Sequence, residues 1–331
     1  MTSRQQVVRL RRTALEILRQ YPVDVARLRL LNHGFNTTFR VDSADGRRFA
    51  LRLNVNSHRT TQNIAAELAW LTALAVDTDL WLPVPQPRRD GALMAEVFSP
   101  DLDRSLPAVL FSWLPGRDVG DDASVAQLRA AGRATATLHG HGENWSLPTG
   151  AALPLIDSVL MDTPNHLAGE HPLLTEDRRT VIEAAFAHVQ RHNDELFAGA
   201  HRHALHADLH TSNMKWHRGR LSVFDFDDSG IGVPVQDLAI AAYYLRDNAE
   251  QEAALLEGYQ ELRTLPAYTS AQFEAIVASR NLILLNDVIV SSNAGFRAIA
   301  PRYVANTVVK LRHYLDTGIY RHDVPGVIAV S

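Results

Sequence analysis

A chain of 331 residues is long enough for one large domain or two moderate ones, with ample core in either case. Its 46% hydrophobic and 21% charged residues are ordinary for a globular protein. A net charge of −4 without a long basic run argues against nucleic acid or an anionic membrane as the principal partner, and the absence of cysteine excludes disulfides, thiolate zinc sites and cysteine nucleophiles.

The arginine-rich N-terminus is interrupted by Glu16, and no apolar core follows it. It reads as an amphipathic helix with Val7, Leu10, Ala14, Ile17 and Leu18 inward, stopped near Pro22. The period then changes to two. Leu28 and Leu30, then Phe39 and Val41, alternate with polar residues, Ala44-Asp45-Gly46 is a hairpin turn, and Phe49, Leu51 and Leu53 begin a third strand. A helix over about 60–76 carries Ile64, Leu68, Leu71 and Ala75 on one stripe. Strand-like pieces follow near 84–88, 92–97 and 107–113. Trp70, Trp113 and Trp216 sit in apolar segments and are expected in the core.

Beyond a break at Leu114-Pro115-Gly116, helices are expected over roughly 121–140, 176–197 and 235–262, with two long ones between 270 and 317. A strand-and-loop island at about 203–232 interrupts them. The organisation is α+β: residues 1–113 a small β-rich lobe, 114–331 a large helical lobe, with 114–120 as linker. No apolar run approaches the roughly 18 residues of a membrane span, and a cytoplasmic location is expected.

The island carries the chemistry. It holds His206-Ala207-Asp208 and Asn213 on one loop, then a turn at 218–220 and a second β segment ending at Asp225. Phosphoryl transfer from ATP needs Mg²⁺ to neutralise phosphate charge and a group to position the attacking hydroxyl. Magnesium takes hard oxygen ligands and keeps several waters, so one carboxylate and one amide oxygen suffice. Asp225 and Asn213 supply that pair, which leaves Asp208 to accept the hydroxyl proton.

At these residues the sequence resembles the aminoglycoside phosphotransferase and choline kinase family, whose loop reads H-x-D-x-x-x-x-N and whose metal aspartate lies in a hydrophobic-D-F/W-x-x-x-G segment. His206, Asp208 and Asn213 match the first, Asp225 and Gly230 the second, and Asp237-Leu238-Ala239 resembles the family's D-L-A stretch. Bacterial stress-response kinases and type II homoserine kinases are the nearest likeness within it. The resemblance implies a protein-kinase-like fold with ATP between two lobes, adenine against the 111–114 hinge, His206 and Asp237 as structural support for the loop, and a helical lobe that supplies the acceptor pocket.

The N-terminal segment adds to this. Glu67 falls on the apolar side of its helix, where a carboxylate needs a cation. Arg52 points to the opposite strand face from Leu51 and Leu53, where kinases place a phosphate-binding lysine. Gly34 and Asn36 belong to a phosphate-covering loop, Gly34-Phe35-Asn36-Thr37-Thr38, with one glycine. On the nearly all-apolar helix 280–290, Arg280 and Asp287 share a face and are expected to meet the acceptor, with His210 a further substrate contact. Asp227 and Asp228 read as solvated loop residues.

The expected function is transfer of a phosphoryl group from ATP to a hydroxyl of a small molecule, by a monomer or homodimer. Three alternatives stay open: a Ser/Thr protein acceptor, a catalytically silent nucleotide-binding regulator, and a zinc hydrolase built on His201, His203, His206 and His210.

Overall fold

Alternating hydrophobicity between residues 25 and 54 does become three strands. The computed structural model describes residues 3–34, 36–100, 102–291 and 294–328, which divide into two compact units. The first comprises Met1–Gly116 with Ser146–Leu153 and Ser222–Asp227. It contains α1 (Ser3–Leu18), β1 (Val25–His33), β2 (Asn36–Ser43), β3 (Arg48–Asn54), α2 (Thr61–Asp77), β4 (Met94–Ser99) and β5 (Arg104–Ser112).

The five strands form one antiparallel sheet in the order β1-β2-β3-β5-β4. Gly46, at φ +85°, makes the β2–β3 turn that a side chain would strain. On one face Leu51 and Leu53 join Phe39, Val41, Leu106 and Leu110 beneath Leu10, Ala14, Ile17 and Leu18 of α1. Val7 lies outside the described side chains. Because side chains alternate along a strand, Arg52 is turned to the other face, where α2 packs. A Thr60–Asn63 capping box starts α2, and Ile64, Glu67, Leu68, Trp70 and Leu71 are buried along it.

Three expectations about this unit change. Leu30 is 40% exposed, because β1 is an edge strand with a register shift between Leu30 and Asn32. Residues 84–88 form only an isolated bridge from Pro85 to Phe111, since Pro83, Pro85 and Pro87 each lack the donor a ladder needs. Trp70 is fully buried, but Trp113 is half-buried with Arg40 over its ring.

The second unit comprises Arg117–Trp145, Pro154–Leu221 and Asp228–Ser331. Its elements are β6 (Arg117–Asp118), α3 (Val125–Gly142), α4 (Glu176–Phe197), β7 (His203–Leu205), β8 (Met214–His217), β9 (Arg220–Val223, whose last two residues belong to the first unit), β10 (Gly230–Gly232), α5 (Val235–Leu245), α6 (Ala249–Gln260), α7 (Ser270–Val290) and α8 (Ala294–Thr317). Ile182 and Val189 of α4, Leu238 of α5, Leu282 and Leu285 of α7, and Val304 and Leu311 of α8 meet in one core. No described helix is long and apolar enough to cross a membrane.

The single helix expected over 235–262 is two, α5 and α6. The Asn248 side chain accepts from the Gln251 N–H and restarts the chain as a new helix. Alpha helices α3 and α6 touch at glycines: a Cβ on Gly132 would lie 2.0 Å from the Leu255 carbonyl oxygen, and one on Gly258 would lie 2.1 Å from that of Arg129. Trp216, on β8, is half-buried rather than core.

Candidate active site

The functional loop leaves β7, makes a single 3₁₀ turn at Thr211–Asn213 and enters β8. β7 itself pairs with β10, and β8 with β6. Ala207 has φ +64°, a left-handed conformation that costs a non-glycine residue about 1–2 kcal/mol. Asp237 holds it there. From the first turn of α5 its carboxylate accepts the Ala207 N–H at 2.7 Å and the His206 N–H at 3.2 Å. His139 of α3 fixes that carboxylate in turn, with Nε2 3.1 Å from Oδ2 and Nδ1 3.0 Å from the Tyr259 hydroxyl. Burial pushes the Asp237 carboxyl up, but His139, His206 and the Ala207 N–H together hold it below the ordinary range.

The result is a presented carboxylate at Asp208. Its Oδ2 accepts from Asn213 Nδ2 at 2.9 Å and lies 3.5 Å from His210 Nε2, while Oδ1 pairs with an Nη2 of Arg280. Burial pushes this carboxyl up, and Arg280 with His210 and His206 outweighs it, so the group is held down at about 2. Asn213 Nδ2 also donates to the Asp208 carbonyl at 2.9 Å. Both partners are acceptors, so the amide NH₂ must face Asp208 and the amide oxygen must face away. That oxygen is a hard donor of the kind Mg²⁺ takes.

Two imidazoles in the loop repeat one local device. His206 Nδ1 accepts the Asp208 N–H at 3.3 Å, and His210 Nδ1 accepts the Ser212 N–H at 3.3 Å. Each ring therefore carries its proton on Nε2. His210 also stacks on Tyr244 of α5, with ring centroids 4.3 Å apart. The Tyr244 hydroxyl accepts from Arg280 Nε at 3.1 Å and Nη2 at 2.8 Å. Burial pushes this phenol up to about 12, against the Arg280 charge.

The first unit has its own polar cluster. Arg52 Nη1 and Nη2 donate to Glu67 Oε1 at 2.7 Å and Oε2 at 2.5 Å, a bidentate pair with 5% and 2% exposure. Burial weakens the guanidinium's hold on its proton, and Glu67, with Asp227 and Asp225 behind it, more than reverses that. Burial likewise pushes the Glu67 carboxyl up against Arg52. Asn36 Nδ2 donates to Asp227 Oδ2 at 2.6 Å, and its buried Oδ1 has no partner among the described residues. Asp225 sits at φ +70°. A Cβ on Gly34 would stand 4.0 Å from Asn32 Nδ2, an ordinary contact, and Phe35 lies outside the described residues.

Some placements depart from expectation. Asp227 is bonded to Asn36 and faces the Arg52 charge, so it is no plain solvated residue. Asp287 keeps its expected place on the Arg280 face of α7, two turns further on, and is half-buried there. The histidine cluster does not form a zinc site: His201 is exposed, His203 buried, and among the described residues no group of three or more His, Asp or Glu is placed to hold a metal. Sequence reasoning missed Tyr244 and His139. Tyr244 lies two helical turns after Asp237, so both reach the loop from one face of α5, a spacing that could have drawn attention to it.

A β-rich unit and a helical unit that carries this loop define a protein-kinase-like α+β fold, and it recurs with a TM-score of 0.77 in a microcompartment-associated aminopropanol kinase, 25% identical over 94% of this chain and 99% of the other. The chain belongs to the phosphotransferase enzyme family, whose sequence pattern matches residues 27–273. It is 30% identical over 203 residues to a homoserine kinase of Agrobacterium fabrum, covering 59% of this chain and 58% of that one. An amicoumacin kinase of Bacillus subtilis is 24% identical over 201 residues, covering 60% and 57%. The match thus spans less than two thirds of the curated relatives' length.

Proposed function

We propose that this protein transfers the γ-phosphoryl group of ATP to a hydroxyl of a small molecule. The observation that carries the reading is the orientation of Asn213, which gives its NH₂ to Asp208 twice and keeps its amide oxygen for another partner. Asp208 accepts the acceptor's hydroxyl proton as the acceptor oxygen bonds to phosphorus and the bond to ADP breaks. Asn213 and Asp225 would hold Mg²⁺, and Arg52, fixed by Glu67, would bind the α/β-phosphates. Magnesium, when bound, neutralises phosphate charge during transfer.

Arginine in place of lysine suits the role, because its fork bonds Glu67 with two donors and stays charged in a buried setting. His206 and Asp237 hold the loop in shape. The named relatives act on homoserine, aminopropanol and amicoumacin, which favours a small acceptor bearing an alcohol over a protein. The test is Mg²⁺-dependent ATP consumption against hydroxyl-bearing metabolites and unstructured Ser/Thr peptides. Phosphorylated small molecules are expected. Turnover of the peptides alone would replace this reading with a protein kinase, and bound ATP without turnover of anything would replace it with a silent regulator.

A further inference from the structure

Arg280 is 7% exposed, and a buried guanidinium needs its donors used. Nε and Nη2 give theirs to the Tyr244 hydroxyl, and Nη2 also pairs with Asp208 Oδ1. Nη1 donates to no described residue, yet it is not among the sealed, unpartnered atoms, so its N–H groups reach accessible space. The guanidinium thus presents one nitrogen, Nη1, with two unused N–H groups beside the carboxylate proposed to receive the acceptor's proton. Arg280 is held in place by Tyr244, which is itself stacked on His210, so this donor is fixed before any acceptor arrives.

From this arrangement, and resting on the phosphotransferase reading above, we infer that the acceptor is a short hydroxy acid whose carboxylate is anchored by Arg280. Two physical points favour it. A guanidinium N–H bonds a carboxylate oxygen more strongly than a neutral acceptor. The second point sets the size. An acceptor hydroxyl bonded to Asp208 and a carboxylate bonded to Arg280, each at roughly 2.8 Å, must lie about two to four carbons apart, because the two protein groups touch.

The ion pair also gives the anchor a second consequence. An arriving carboxylate shares the guanidinium with Asp208, so Oδ1 is released from part of its hold at the moment the hydroxyl arrives. Acceptor binding and readiness of Asp208 are then one event. Arg280 acts as a specificity-determining residue that also positions Asp208.

The experiment compares matched acceptors with Mg²⁺-ATP: homoserine and its decarboxylated amino alcohol, serine and ethanolamine, threonine and its aminopropanol. The carboxylate member of at least one pair should be favoured by about 10² or more in kcat/KM, since a site built to bond a polar group strongly rejects the analogue lacking it. Arg280→Gln should erase most of that preference through the KM of the carboxylate member, and Arg280→Lys, which keeps charge but not the fork, should restore part of it. Equal or better turnover of every amino alcohol overturns the inference and leaves the phosphotransferase reading intact. So does an Arg280→Gln variant that lowers kcat for both members alike while the preference survives, which would make Arg280 a positioning residue only. If no member reacts, the hydroxy-acid assignment falls, and ATP consumption with the wider alcohol panel decides the phosphotransferase reading separately.

Discussion

Arg280, in the middle of α7, is ion-paired with Asp208, which lies 72 residues earlier on the loop after β7. Neither charge is well solvated, with side chains 8% and 15% exposed. Removing one partner of such a pair leaves the other buried and uncompensated, at a cost of roughly 3–5 kcal/mol. The contact therefore links stability of the helical unit to the residue proposed as base.

Asp208→Asn separates these contributions. It keeps the size and the hydrogen bond from Asn213 but cannot take a proton, so turnover should fall by about 10²–10⁴. Affinity for Mg²⁺-ATP, measured by calorimetry, should persist, and the midpoint of urea unfolding should drop. Turnover within a few-fold of wild type would remove Asp208 from the base role.

Asp225→Asn tests the metal assignment without adding strain, because asparagine tolerates the φ of +70° found there. The Mg²⁺ concentration for half-maximal ATP binding should rise by at least roughly tenfold, since the anionic ligand is gone. An unchanged Mg²⁺ titration means that the ion is held by other residues.

For the Arg52–Glu67 pair, Glu67→Ala alone should destabilise the protein by about 3–5 kcal/mol. The double variant Arg52→Met with Glu67→Leu should recover part of that, because the paired charges leave together while Asp227 and Asp225 lose the neighbouring cation. Its KM for ATP should nonetheless stay high. A double variant with normal ATP KM would show that the pair is structural only.

His203 supplies a pH prediction. Burial holds its pKa below the ordinary 6.5, with the neighbouring His139 adding to this and the Ala204 carbonyl opposing it. As pH falls below 6.5 the unfolded chain takes up a proton that the folded chain refuses, so stability declines through that window and levels off below the folded pKa. Melting temperature followed from pH 7.5 to 5 (about the span in which histidine titrates) should show the decline, and His203→Gln should flatten part of it. An identical profile for the variant would assign the decline to other groups.

What the sequence revealed was whatever depended on near neighbours. Arg52 could be read as outward from the alternation around Leu51 and Leu53, and Glu67 as inward from its place between Ile64 and Leu71, because strand and helix periods are local. Asp208, Asn213 and Asp225 could be picked out as candidates because their spacing is carried by a short loop and a hairpin. Tyr244, His139 and Asp227 were not. Their partners lie at distances along the chain that only packing decides, 98 residues for His139 with Asp237 and 191 for Asn36 with Asp227. The break between α5 and α6 was hidden for a different reason. The polar stretch 246–252 carries neither glycine nor proline, and only the Asn248 cap interrupts the backbone.

The paired tautomers of His206 and His210 have a chemical consequence. Each ring spends its one lone pair on a backbone N–H two residues ahead; His206 is fully buried besides, and His210 turns its Nε2–H toward Asp208, so neither offers a nucleophilic nitrogen to a transition metal or an alkylating reagent. To capture zinc, the loop would have to give up the two turns that present Asp208 and Ser212. A segment this rich in imidazole is therefore shielded from adventitious soft metals by its own backbone, and it stays open to hard ions that bind through oxygen.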